Sequence, residues 1–183
     1  VSLTPTFESW YSVGGSGFST SFMSFSSNND QVTLKHMKWL YNHEFLHKWI
    51  GRTIINENEV EQYWFSEGFT DYYAYKLQLK YKTLNVNEYI DILNSEVIIP
   101  HHKDPVRNIR NEDLTFETYW MNYATYMKLP YRRGLLYAFL LDIQIKEESN
   151  YTQSLDNLML DLFQMALNDE GFRFNQDVFL NII

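Results

Sequence analysis

Two histidines four positions apart, with a glutamate directly after the first, constrain this sequence more than any other feature. They lie in the segment NHEFLHKW, where His43, Glu44 and His47 form a His-Glu-x-x-His pattern. If the segment is helical, one turn brings both imidazoles onto the same face. Two imidazoles on one face can bind zinc, and the carboxylate between them can act as a general base on a zinc-bound water. About 0.01 such patterns are expected by chance in a chain of this composition, so the pattern predicts a metal site.

The spacing of apolar residues around the pattern predicts that it lies on a helix. From Thr33 onward, apolar side chains recur at helical spacing: Met37, Leu40, Tyr41, Phe45 and Trp49. Gly51 follows them and is a typical helix stop. We therefore expect a helix of roughly four turns that carries both histidines.

The rest of the chain is predicted to be mainly helical, in the α+β class. Residues 14–30 alternate small or polar residues with aromatic residues, which is typical of an edge strand between turns. Further helices are predicted at about 62–81, 86–97, 113–127, 131–147 and 154–168. Pro100 and Pro105 bracket a predicted loop, PHHKDP. We expect a small β region near the N-terminus followed by a helical bundle, in one domain over residues 1–183, because no repeat or linker interrupts the pattern.

Composition narrows the classes of function. With 183 residues, of which 45% are hydrophobic, the chain is long enough to bury a core. A net charge of −8 without a dense Lys/Arg cluster argues against nucleic acid and anionic membranes as partners. No apolar stretch is long enough to predict membrane insertion. The lack of cysteine excludes a thiol nucleophile and a cysteine-ligated zinc.

A third metal ligand is expected, because a catalytic zinc usually has three protein ligands. Glu67, in the downstream segment YWFSEGFTDYY, can reach the imidazoles if the chain reverses direction after Gly51. Asp71 lies one turn beyond Glu67 on the same face, where it can accept the second ring N–H of a ligating histidine and fix its tautomer. The alternative is a solvated acidic face, but the aromatic neighbours of both carboxylates argue against it.

The segments HEFLHKW and WFSEGFTDYYA together resemble the gluzincin metallopeptidases, which are thermolysin-like. They are most similar to the glycyl aminopeptidase family, a relative of the membrane alanyl aminopeptidase and leukotriene A4 hydrolase family. The resemblance covers about residues 35–145. It implies a zinc-dependent peptidase, and specifically an aminopeptidase. It also implies one Zn²⁺ ion held by His43, His47 and Glu67, with Glu44 as the general base.

Two further residues receive roles from this resemblance. Asp71 matches the aspartate one turn after the ligand glutamate in thermolysin-like enzymes. The segment LPYRRGLLYAFLLDIQI is similar to the Tyr-x-Lys-Gly segment of these aminopeptidases, which implies that the Tyr131 hydroxyl supports the tetrahedral intermediate.

The resemblance also implies partners beyond this chain. A peptide or protein substrate is expected, and a PDZ-like domain accompanies the zinc domain in the glycyl aminopeptidase family. The chain begins at Val1 rather than at methionine, and about 32 residues precede the predicted helix, too few for the several-stranded sheet of gluzincins. We therefore expect a longer parent protein. The compartment is not determined by the sequence, although the resemblance favours a secreted, periplasmic or cell-surface location over a cytoplasmic one.

The sequence departs from the family pattern at three places, and the third bears on specificity. Arg133 stands where the Tyr-x-Lys-Gly segment has lysine, and Ser66 stands where the alanyl aminopeptidase group has asparagine. The segment VGGSGFSTSF has the glycines of the family's upstream strand without the glutamate that anchors the substrate's free amine. This absence favours a zinc endopeptidase as the alternative to an aminopeptidase. A non-catalytic peptide-binding relative is a third alternative, and the complete set of site residues argues against it.

Five other residues are weaker candidates for the site. His36 lies two turns before His43, roughly 10 Å away along a helix, which is too far for the same ion. His101 and His102 are expected to form an exposed loop pair rather than to reach over a cleft. Tyr123 and Tyr126 could join Tyr131 near the cleft, but helix packing explains them equally well.

Overall fold

A hairpin of two antiparallel strands precedes the helices in the computed structural model, which describes residues 10–18 and 20–183. Strand β1, Val13–Gly17, pairs with strand β2, Phe22–Ser26, in a register that runs from Val13 opposite Ser26 to Gly17 opposite Phe22. The Phe18 N–H donates to the Ser21 carbonyl (2.7 Å) and closes the turn. The prediction of one edge strand over 14–30 is therefore wrong in detail, because the small residues between the aromatics allow the chain to reverse.

Helix α1, Leu34–Leu46, carries the histidine pattern as predicted. It begins at the cap residue Thr33, whose backbone N–H donates to His36 Nδ1 (3.1 Å). His36 is thus used to cap the helix, away from the other histidines. His47 follows the last helical residue but keeps helical dihedral angles, φ −59° and ψ −16°, so it still shares the face of His43.

The chain reverses direction after α1 and then forms two consecutive helices, where the pattern predicted one over 62–81. A 3₁₀ turn, Val60–Gln62, leads into α2, Tyr63–Ser66, and α3 follows as Gly68–Lys80. The break falls at Glu67, yet its N–H bonds to the Tyr63 carbonyl (2.9 Å) and its carbonyl accepts from Asp71 (2.9 Å). The backbone hydrogen bonds therefore continue through the break, and they hold Glu67 and Asp71 one turn apart.

The remaining helical segments are α4 (Val86–Ile92), a π-helix (Leu93–Ile98), α5 (Ile99–Lys103), a 3₁₀ turn (Asn111–Asp113), α6 (Phe116–Met121), α7 (Tyr123–Tyr126), α8 (Leu129–Glu148), α9 (Leu155–Asn168) and α10 (Gln176–Leu180). The predicted helices at 86–97, 131–147 and 154–168 are confirmed. The predicted PHHKDP loop is wrong over its first four residues, which belong to α5, because proline is tolerated in the first turn of a helix. The predicted helix over 113–127 is interrupted at Asn122, which has non-helical angles.

Helices α3 and α8 pack against each other and position the site. Gly68 and Gly134 allow a very close approach, since a Cβ on Gly68 would lie 2.7 Å from the Gly134 carbonyl carbon. Around them lies the main hydrophobic core, which includes Phe65, Phe69, Leu135, Leu162 and Phe174. No helix of the described residues is long and apolar enough to cross a bilayer. The predicted class, mainly helical with a small β region at the N-terminus, is confirmed, while the extent of the domain over residues 1–183 stays a prediction.

A buried carboxylate fixes the far end of α8. Asp142 accepts hydrogen bonds from the Tyr72 hydroxyl of α3 (2.6 Å) and from the Leu155 N–H at the start of α9 (2.9 Å). Lys146 donates to the same side chain (2.5 Å). Burial raises the pKa of Asp142, but these donors outweigh it and hold the pKa below its ordinary value. One charged group thus joins three helices of the core.

Candidate active site

Three side chains converge where α1 meets the break between α2 and α3. His43 Nε2 lies 3.0 Å from His47 Nε2 and 3.2 Å from Glu67 Oε2, and His47 Nε2 lies 3.6 Å from the same oxygen. A tetrahedral zinc with bonds of about 2.0 Å holds its donor atoms about 3.3 Å apart. Two of the three distances between donor atoms are slightly shorter than this value, and one is slightly longer. The residues predicted as ligands therefore have the spacing that zinc requires.

The opposite ring nitrogens determine how the two imidazoles are protonated. His43 Nδ1 lies 2.8 Å from Asp71 Oδ1, and His47 Nδ1 lies 3.1 Å from the Ile50 carbonyl oxygen. Both oxygens are acceptors, so each ring, when neutral, donates from Nδ1 and leaves the lone pair of Nε2 free to bind a metal. Two such lone pairs and a carboxylate oxygen repel one another at these distances unless a cation lies among them. The donor set thus fits a metal ion.

Asp71 is itself held in place. Its Oδ1 also accepts from Trp39 Nε1 (2.6 Å), so it joins two side chains of α1 to α3. The role predicted for Asp71, orienting a histidine through its second nitrogen, matches this contact. Trp39 lies one turn before His43 and was not singled out by the sequence, because its apolar spacing indicates packing alone.

The electrostatics of the three side chains favour a positive charge at the centre of the site. Burial lowers the pKa of His43, but hydrogen bonds to Asp71 and Glu67 and their charges outweigh it and raise the pKa to about 10. Burial raises the pKa of Glu67, but the hydrogen bond from His43 and the charges of both histidines lower it to about 2. Burial lowers the pKa of His47. The site therefore stabilises an ionised Glu67 next to a cation.

Glu44 lies beside the three side chains and is buried, with 6% of its surface exposed. Among the described residues, nothing forms a hydrogen bond with its Oε2 atom. Burial raises the pKa of Glu44 to about 7, with a smaller opposing effect of His43. A carboxylate with a pKa near neutrality can both accept and release a proton under ordinary conditions.

The glycines of β1 allow the strand to lie directly against α1. A Cβ on Gly15 would lie 2.6 Å from Glu44 Oε1, and a Cβ on Gly17 would lie 2.7 Å from His47 Cβ. Any larger residue at either position would enter the site. The Gly-rich segment therefore covers Glu44 and His47 and, as predicted, brings no carboxylate of its own.

Tyr131 lies near the start of α8 and completes the group of predicted residues. Its hydroxyl lies close to Glu67, and its ring stacks on His43 with centroids 5.9 Å apart and planes 21° apart. Burial raises the pKa of Tyr131 well above its ordinary value. The hydroxyl thus stays protonated and is available as a hydrogen-bond donor.

The two departures next to these residues have structural explanations. Arg133 turns away from the site and donates to Asn111 Oδ1 (2.5 Å) and to the carbonyls of Arg107 (3.0 Å) and Ile109 (2.7 Å). It fastens the segment before α6 to α8. Ser66 accepts a hydrogen bond from Asn56 Nδ2 (2.9 Å), which holds the preceding loop against α2.

The weaker candidates of the sequence do not line the site. Tyr123 stacks on Trp120 (5.2 Å between centroids), and Tyr126 packs against a small separate core around Val60. His101 and His102 lie in α5. A cavity of about 350 Å³ opens at the site; besides the predicted residues, it is lined by parts of β1 and by Arg52, Ile55, Asn56 and Glu59. No periodicity in the sequence marks these residues, because a loop brings them together.

Comparisons with known proteins identify a family and a related fold. The model of the M61 glycyl aminopeptidase family matches residues 36–131, which include all six predicted site residues. A crystal structure of an aminopeptidase N family protein from Idiomarina loihiensis superposes with a TM-score of 0.65 at 20% sequence identity. The match covers 84% of this chain and 30% of that chain, so this chain spans under a third of that protein, and the likeness concerns the fold. No curated protein matches the sequence.

Proposed function

Because the chain belongs to the M61 glycyl aminopeptidase family, we propose that it is a zinc-dependent aminopeptidase. Family membership supports a peptidase. The zinc ion and the removal of single N-terminal residues are what we propose in addition. The observation that carries the proposal is the triangle of His43 Nε2, His47 Nε2 and Glu67 Oε2, with sides of 3.0, 3.2 and 3.6 Å. Three electron-rich atoms at this spacing fit one zinc ion.

His43, His47 and Glu67 would hold the ion, and Asp71 would keep the ring of His43 in the required tautomer. Zinc bound there would act as a Lewis acid on the scissile carbonyl and lower the pKa of a coordinated water towards 7. The low exposure of the three side chains, 3% for His43, 15% for His47 and 16% for Glu67, reduces screening by water and strengthens these charge interactions.

Glu44 is the group that moves protons. It accepts a proton from the attacking water and passes it to the amine that leaves. Its unpartnered Oε2 and its pKa of about 7 support both steps, since a strongly acidic carboxylate would accept the proton poorly. A peptide-binding relative without activity would have no use for such a group.

Tyr131 is the donor to the negative oxygen that develops on the carbonyl. It stands on the Glu67 side of the site, stays protonated, and is fixed by stacking on His43. Loss of a comparable donor costs about 2.7–4 kcal/mol of transition-state stabilisation where it has been measured.

An endopeptidase is the second candidate, and the composition of β1 favours it. The strand wall of the cavity, formed by Gly15, Ser16 and Gly17, offers no carboxylate to a free amine. The two activities differ in whether a blocked N-terminus prevents cleavage. PDZ-like domains in the parent protein and a location outside the cytoplasm are further proposals that rest on the family alone.

The test is cleavage of one peptide set, supplied with free and with acetylated N-termini and analysed by mass spectrometry with and without a zinc chelator. We expect chelator-sensitive loss of single residues from the free peptides only. The control is Glu44→Gln, which should keep bound zinc, measured by elemental analysis, and lose turnover. Internal cleavage of both peptide forms would establish an endopeptidase, and an active Glu44→Gln variant would refute Glu44 as the base.

A further inference from the structure

The site cavity contains three carboxylates among the described residues that line it: Glu44, Glu59 and Glu67. The first and third have roles in the proposed reaction. Glu59 lies in the loop between α1 and α2; it is an exposed residue and lines the cavity. In the described part of the chain, no lysine, arginine or histidine nitrogen lies within ion-pairing distance of its carboxylate. The charge of Glu59 is therefore free to meet a ligand.

The backbone of Glu59 is fixed relative to the reacting centre. Asn56 Nδ2 bridges the Glu59 carbonyl oxygen (3.4 Å) and Ser66 Oγ (2.9 Å), and Ser66 directly precedes Glu67. The Gln62 N–H also donates to the Glu59 carbonyl (3.2 Å). Asn56 is itself buried, with 9% of its surface exposed. The loop thus holds Glu59 in a set position beside the metal-binding side chains.

The other charged group of the cavity wall outside the predicted set is Arg52, and it is engaged elsewhere. Its Nε donates to the Gly17 carbonyl (3.0 Å), and its guanidinium lies over the ring of Phe18, 5.8 Å from the centroid. Arg52 therefore belongs to the β1 wall and leaves Glu59 without a counter-ion.

We propose that the Glu59 carboxylate binds the protonated α-amino group of the substrate peptide. This inference rests on the proposed aminopeptidase function. In a peptide, the α-amino nitrogen lies about 2.5 Å from the carbonyl carbon of the same residue. An anion that holds the amine of the first residue must therefore lie in the same small cavity as the group that attacks the carbonyl. Glu59 meets this condition, and β1 supplies no such group.

Through this contact, Glu59 would make the site prefer peptides with a free N-terminus. An ammonium–carboxylate pair forms short, charge-assisted hydrogen bonds, which are stronger than those between neutral groups. An acetylated N-terminus has no positive charge, and its extra carbonyl would approach the negative Glu59. The same carboxylate thus attracts the free amine and disfavours the blocked one.

The experiment compares Glu59→Gln with the matched control Glu61→Gln. Glu61 lies two positions further on, pairs with Asn58 Nδ2 (3.3 Å), and does not line the cavity. Rates are measured with free and with N-acetylated forms of one peptide. For Glu59→Gln, we expect kcat/KM on the free form to fall by about tenfold or more, mainly through KM, because a hydrogen bond to a charged group is lost. The acetylated form should stay uncleaved by both proteins, and Glu61→Gln should behave like the unaltered protein on the free form.

A binding measurement separates this inference from the proposed function. Titration calorimetry of both peptide forms into Glu44→Gln, and into the double variant with Glu59→Gln, reports amine recognition without turnover. We expect tighter binding of the free form, by about tenfold, only where Glu59 is present. Equal binding of both forms, or a preference that survives Glu59→Gln, would overturn the inference even if the protein is an aminopeptidase. Amine binding through Glu59 without any chelator-sensitive hydrolysis would overturn the proposed function alone.

Discussion

Gly134→Ala should damage both stability and catalysis, because helix α8 lies too close to α2 and α3 to admit a side chain at this position. A Cβ on Gly134 would lie 2.6 Å from the Trp64 carbonyl carbon and 2.8 Å from Gly68 Cα. The Trp64 carbonyl oxygen would lie closer still, and ordinary contacts begin near 3.4 Å, so α8 must retreat by at least about 1 Å at this point. Tyr131 lies one turn earlier on the same helix and would move with it.

The expected size of the two effects follows from this displacement. Overpacking of this kind costs about 1–3 kcal/mol, which lowers the Tm of a chain of this length by roughly 2–12 °C. A displacement of about 1 Å in a catalytic group can lower the rate by about 10²-fold. Thermal unfolding and kcat/KM measured on the same preparations test both expectations.

The matched control is Gly171→Ala, whose Cβ would meet only the flexible Asp169 side chain at 3.1 Å. It should change the free energy of unfolding by less than about 0.5 kcal/mol. If Gly134→Ala has the same Tm and the same kcat/KM as the unaltered protein, then the close packing of α8 on α2 and α3 does not position Tyr131.

Two further predictions concern buried aspartates. Asp71→Asn should weaken zinc binding by about 10–100-fold, because the neutral amide no longer favours the required tautomer of His43; competition with a chelator of known affinity measures this, and unchanged affinity would contradict it. Asp142→Asn should lower the free energy of unfolding at pH 7 by about 1–3 kcal/mol, because the Tyr72, Lys146 and Leu155 donors lose a charged acceptor. The pKa of Asp142 is depressed in the folded state, so its stabilising effect is present above the unfolded pKa of about 3.9 and lost as the pH falls through the folded pKa. Urea unfolding should thus show a difference in the free energy of unfolding between the unaltered protein and Asp142→Asn that narrows below about pH 4. A difference that stays constant with pH would show that the charge of Asp142 is not its cause.

The parts of the site that depend on local spacing could be predicted from the sequence. The separation of His43 and His47 by one helical turn, and of Glu67 and Asp71 by another, follows from helix geometry once the segments are helical. The long helices α8 and α9 were predictable for the same reason. Tyr131 could be identified only by resemblance, because it reaches the site through the packing of α8 on α3.

The parts that depend on contacts distant in sequence could not be predicted. Glu59 and the Ile50 carbonyl enter the site because the chain reverses after α1, and no periodicity marks a loop residue for such a role. The reading of Pro100 as a helix breaker was wrong, because proline is tolerated in the first turn of a helix. The break at Glu67 was missed because the hydrogen bonds, and so the apolar spacing, run through it.

The raised pKa of His43 has a consequence for exchange of the metal. A value of about 10 means that, without an ion, His43 holds a proton at neutral pH between Asp71 and Glu67. Zinc bound as proposed would displace this proton, so metal uptake would release a proton and metal loss would take one up. One proton carries less charge than the ion, yet it keeps His43 paired with both Asp71 and Glu67. We therefore expect metal binding to weaken as the pH falls, since the proton and the ion compete for the same nitrogen of His43.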